Sequence, residues 1–189
     1  MTLYFLGTTS AWVLIPLYVQ QGLGFSAFEA GMVGILSALL SAYSANWAGK
    51  RVNSYGRKVV IGGLSMAIFG LLSSVAVVLL HEYLSLSIWW LLVTLGFFGL
   101  GQGSVVSPNQ ALTLAEVPLA YAGSSGAIMQ TGQRIGTSVG IAVITAIVFA
   151  VRPYSSWSVA VTVGLLAIAF VILLALAMAF KDLRDRRAL

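Results

Sequence analysis

The sequence has no cysteine, one histidine and five acidic residues, and only 8% of its 189 residues are charged. Without cysteine there is no disulfide and no thiol chemistry. His81 beside Glu82 supplies two side chains where a metal site needs about three or four, so no metal is expected. No nucleophile is paired with a base and no phosphate-binding glycine loop follows a strand, so the chain is not expected to be an enzyme or to carry a cofactor. The opening MTLYFLGTTSAWVLIPLYVQ lacks the basic start of a signal peptide, and its apolar stretch outlasts an h-region. It reads as a retained helix.

What the chain has in abundance is apolar length. Hydrophobic residues make up 59% of it and mean hydropathy is +0.98, whereas a soluble domain carries about 25% charged residues. Six apolar runs, roughly 3–20, 27–48, 59–80, 87–107, 121–151 and 155–180, each supply the ~20 helical residues that cross a hydrocarbon core about 30 Å thick. The expected fold is an all-α membrane protein of six transmembrane helices over residues 1–180, with a basic tail at 181–189. Breaks are expected at Gln20 to Gly24, at residues 49–58, at His81-Glu82, at Pro108-Asn109-Gln110 and at Arg152-Pro153. Ser26 and Glu29 have the spacing of a capping box, so Glu29 reads as a helix cap.

Positive charge sets the orientation. With six spans, one side holds Lys50, Arg51, Arg57, Lys58, Lys181, Arg184, Arg186 and Arg187, and the other only Arg152. Basic residues concentrate on cytoplasmic loops, which places both termini in the cytoplasm of a multi-pass protein in the plasma membrane. The net charge of +5 is then a topology signal facing the lipid bilayer and carries no implication of nucleic acid. Tyr18, Trp47, Tyr83, Trp89, Trp90, Tyr121, Tyr154 and Trp157 fall near expected helix ends, where aromatic side chains anchor at the interface.

Four of the ten basic residues crowd into GKRVNSYGRK, residues 49–58. Gly49, Asn53, Gly56, Arg57 and Lys58 have the form G-x-x-x-[D/N]-x-x-G-R-K in what reads as a short loop between two spans. This resembles the signature loop of the major facilitator superfamily. The resemblance implies a gating element, with glycines permitting a tight turn and cations addressing nearby helix ends. Asn53 stands where the family has Asp, which removes the charge of a carboxylate latch.

Two further stretches, GFFGLGQGSVVSPNQALTLAEVP and GSSGAIMQTGQRIGTSVGIAVITAIV, resemble the C-terminal six-helix half of the fourteen-helix drug:proton antiporter branch. The resemblance implies two inverted three-helix repeats and a secondary active transporter, proton-coupled and exporting drugs or other small molecules. It also implies a partner N-terminal six-helix half that this chain lacks. The alternative is a stand-alone six-helix protein acting as a pore or assembly subunit.

Gly99 and Gly103, and separately Gly132, Gly136 and Gly140, recur every four residues, which clears a helix face for close packing. Gln102, Gln130, Gln133, Arg134 and Thr137 are the expected substrate path. Gln130, Arg134 and Thr137 share a face, and Arg134 at mid-membrane costs about 2.5 to 3.5 kcal/mol, so it should meet the bundle interior, a water-filled cavity or a partner; the alternative is that it lies nearer the cytoplasmic end and snorkels. Glu29 is assigned to a cap, Glu82 to an outer loop, Glu116 to an inner loop, and Asp182 and Asp185 to the tail. A coupling carboxylate is therefore expected on the missing half, and any proton passes there.

Overall fold

A computed structural model describes residues 2–115 and 117–185, apart from the side chains of residues 2, 3, 53, 119 and 185. Glu116, Arg186, Arg187 and the side chains of Asn53 and Asp185 lie outside the described residues. Six α-helices follow one another: α1 (Thr2–Leu17), α2 (Ala27–Tyr55), α3 (Arg57–Leu84), α4 (Leu91–Ala115), α5 (Ala122–Val151) and α6 (Trp157–Asp185). From α2 to α6 each is long and apolar enough to cross a bilayer. The 16 residues of α1 are extended by a π-helical turn, Tyr18–Gly22.

The helices pack in the series α2, α4, α3, α6, α1, α5. Glycine decides how closely. On α4, a Cβ at Gly99 would overlap the Ser37 carbonyl of α2, and one at Gly103 would overlap the Ser41 carbonyl and the Ser44 hydroxyl. Two residues from each of these, on the opposite face, a Cβ at Gly101 would press on the backbone of Gly63 and Ala67 in α3. On α5, Gly136 and Gly140 are buried, and a Cβ at Gly140 would overlap the Leu6 carbonyl of α1. Gly132 is half-buried. Because α2 and α5 stand at the two ends of the series, only 22% of each of their spans is buried, against 56% for α3 and α4.

The capping box at Ser26 forms as expected: the Glu29 amide donates to Ser26 Oγ at 3.3 Å and the Ser26 amide to Glu29 Oε2 at 2.9 Å. Several expected breaks do not. Helix α4 runs through Pro108-Asn109-Gln110 with Pro108 buried inside it, because a packed membrane helix has neighbours that compensate for the missing amide. At His81-Glu82 the chain stays helical to Leu84, and α3 ends instead at Ser85, in the left-handed region at φ 54°. Glu82 is thus the last turn of α3 rather than a loop residue. It accepts a 2.7 Å bond from Ser158 Oγ, which lies 2.9 Å from the Tyr18 hydroxyl. Tyr18 is fully buried in that network and is no interfacial anchor. Helix α6 continues to Asp185, so Asp182 is helical as well.

Candidate functional site

The stretch 49–58 is almost entirely helix rather than a loop. Helix α2 extends to Tyr55, α3 starts at Arg57, and the whole turn is made by Gly56 at φ 52°, ψ −132°. That conformation mirrors the polyproline region and is closed to residues with a Cβ. Open space surrounds Gly56, with nothing within 4 Å of an added Cβ, so backbone conformation and not crowding requires the glycine. Gly49 makes no turn. It lies inside α2, where an added Cβ would approach the Ser107 hydroxyl of α4 at 3.8 Å.

The cations divide. Arg57 forms an ion pair with Asp182 of α6, at the edge of a cavity of about 410 Å3 also lined by Tyr4 and Asn109. Arg51 stacks over the Trp47 ring at 4.5 Å, and Lys58 lies along the same side. Among the described residues, the turn is tied to the end of α6 by the ion pair of Arg57.

The polar residues at mid-height form two groups. Gln102 of α4 accepts a 3.2 Å bond from Trp12 Nε1 of α1, and both line an open cavity of about 510 Å3 between α1, α2 and α4. On α5, Thr137 lies 3.4 Å from the Thr9 hydroxyl of α1. Gln133 is buried beside the glycine face, and its Nε2 has no hydrogen-bond partner among the described residues. Gln130 and Arg134 point away from the other five helices and are exposed, joined by Thr131 and Ser138. Arg134 lies twelve residues into the 30-residue α5, about 18 Å along its axis at 1.5 Å per residue. The expected common face of Gln130, Arg134 and Thr137 therefore splits, because Thr137 turns far enough to touch α1. The bundle interior is not where Arg134 goes.

Sequence reading missed Trp12 and Thr9. A tryptophan in mid-helix, away from either interface, is the signal that could have found Trp12, since the indole N–H needs a partner once it leaves water.

A family model described as Major Facilitator Superfamily matches residues 1–188. Among curated proteins, the chain is 28% identical to the lincomycin resistance protein LmrB of Listeria innocua over 156 residues, covering 77% of this chain and 30% of that protein. It is 28% identical over 147 residues to a probable actinorhodin transporter of Streptomyces coelicolor (77% and 25% covered). Over 129 residues it is 30% identical to the riboflavin transporter RibZ of Clostridioides difficile (68% and 27% covered). The matched part is between a quarter and a third of the length of these relatives.

Proposed function

Because the chain belongs to the major facilitator superfamily, we propose that it is the C-terminal six-helix half of a secondary active transporter that exports drug-like small molecules, rocking against a second half. The substrate path runs along the open faces of α2 and α5 and the cavity walled by Trp12 and Gln102. Relatives named for lincomycin resistance and for actinorhodin and riboflavin transport support a small-molecule cargo.

The observation that carries this reading is Arg134. A guanidinium at mid-height on an outward face is expensive against lipid, and the cost vanishes if that face borders a hydrated path and a facing half. Gln130, Thr131 and Ser138 extend the same face with groups that can bond a polar cargo. Proton coupling belongs to a carboxylate on the facing half, since Glu82 and Asp182 sit at helix ends, engaged with Ser158 and Arg57. The turn at Gly56 and the Arg57–Asp182 pair act as the gate on the cytoplasmic side.

Proteoliposomes holding only these 189 residues are expected to show no transport under an imposed pH gradient, whereas the parent transporter that includes the facing half moves substrate. Pumping by the 189 residues alone would overturn the reading. Orientation is tested by single cysteines in this cysteine-free chain: an impermeant thiol reagent should label Gln21→Cys and Ser87→Cys on intact cells and spare Ser54→Cys.

A further inference from the structure

Arg51 and Lys58, two of the three cations of residues 49–58 that do not serve the inner pair, line a groove of about 480 Å3 between α2 and α3 with α4 as its base. Its polar end joins them to Trp47, with the Arg51 guanidinium 4.5 Å from the ring centre. Among the described residues neither cation has a carboxylate partner. Away from that end the lining turns apolar, through Gly62, Met66 and Leu100. An added Cβ at Gly62 would meet nothing within 4 Å, so this glycine leaves an open slot rather than a helix contact.

The groove is separate from the substrate cavity. Residues 43, 47 and 51 of α2 face it, whereas 38, 42 and 45 face the cavity of Trp12 and Gln102. At about 100° per residue these sets fall on opposite sides of the helix.

We propose that this groove binds a phospholipid with an anionic headgroup, its phosphate held between Arg51 and Lys58 and one acyl chain laid along Gly62 and Met66. The occupant must be anionic at the interface and hydrocarbon below it, because two cations without a carboxylate partner among the described residues open directly onto an apolar slot. A free phosphate would satisfy the cations and leave the slot wet. The aromatic ring beneath Arg51 holds the guanidinium at the headgroup level.

Bromine on acyl chains quenches nearby tryptophan, so the full chain is reconstituted in phosphatidylcholine vesicles containing brominated phosphatidylglycerol or, at equal mole fraction, brominated phosphatidylcholine. The Trp47 signal is the emission lost in Trp47→Phe. Phosphatidylglycerol is expected to quench it preferentially, with a relative affinity about 25-fold higher, since each cation near the surface contributes roughly fivefold. R51Q/K58Q should bring the two lipids to parity, while the charge-matched K50Q/K181Q leaves the preference in place. Gly62→Leu keeps both cations but fills the slot, and should weaken quenching by both lipids. Equal quenching of Trp47 by the two lipids in the unaltered chain overturns the proposal, as does a preference that survives R51Q/K58Q or is lost equally in K50Q/K181Q. A groove covered by a second copy of the chain would shield Trp47 from both lipids, which overturns it too.

Discussion

Helices α4 and α5 carry the same glycine spacing and put it to different use. In α4, Gly99 and Gly103 bring α2 into backbone contact while Gly101, on the opposite face, does the same for α3. Two faces are filled and the helix is locked between neighbours. In α5, the glycine face packs on α1 through Gly140, and the opposite face presents Gln130, Thr131, Arg134 and Ser138 to the outside. A four-residue glycine repeat thus marks one packed face and is silent about the other. What distinguishes a static seam from a face that meets cargo or a partner is the chemistry on the far side of the helix.

The sharpest way to break that contrast is to fill a glycine. Gly103→Leu should destabilise by about 3 kcal/mol or more, because the Ser41 carbonyl and Ser44 hydroxyl would have to move with the α2 backbone. Gly31→Leu on the open side of α2, where nothing lies within 4 Å, should stay within about 0.5 kcal/mol. Thermal unfolding in detergent reads both, and equal melting temperatures would dissolve the distinction between filled and open faces.

Arg134→Leu tests the other face of α5. Transport by the parent should fall tenfold or more, the worth of a charge-assisted bond of about 1.5 to 3 kcal/mol, while the melting temperature holds or rises because a costly mid-membrane charge is gone. A loss of stability with transport intact would make Arg134 a structural residue.

At the turn between α2 and α3, Gly56→Leu retains every cation but forces a side chain into φ 52°, ψ −132°, a strain of about 1 to 3 kcal/mol. Transport is expected to drop while cysteine accessibility, and hence orientation, stays normal. Normal kinetics would reduce residues 49–58 to a topology signal.

The smallest effect is expected from Asp182→Asn. Its ion pair with Arg57 is about a third exposed on each side, so stability should change by no more than about 1 kcal/mol. The exchange Arg57→Asp with Asp182→Arg should recover whatever rate the single change removes.

Six helices were legible because about 20 apolar residues bounded by polar ones have few other solutions in a bilayer, and the cap at Ser26 and Glu29 was legible because it is local. Helix ends were less so. Pro108 and His81 look like breaks in a soluble chain, but α4, packed on α2 and α3, stays helical through the first, and Ser85, four residues on, takes the turn from the second. The cations at 49–58 could be counted but not sorted, since which of them meets Asp182 depends on how α3 and α6 approach at their ends.

By itself the sequence determined that this chain is a series of six long apolar helices, that its basic residues gather at one end, and that Gly56 sits where two helices must reverse. Those properties follow from composition and from conformational preferences that act over a few residues. Only the tertiary structure decided that Arg134 faces outward, that Trp12 holds Gln102 at the wall of a cavity, that Tyr18 is buried with Ser158, and that Arg51 and Lys58 part from Arg57. Each depends on the rotation of one helix against another, which is set by contacts between residues far apart in the chain, among them the glycines on α4 and α5 that admit a neighbouring backbone.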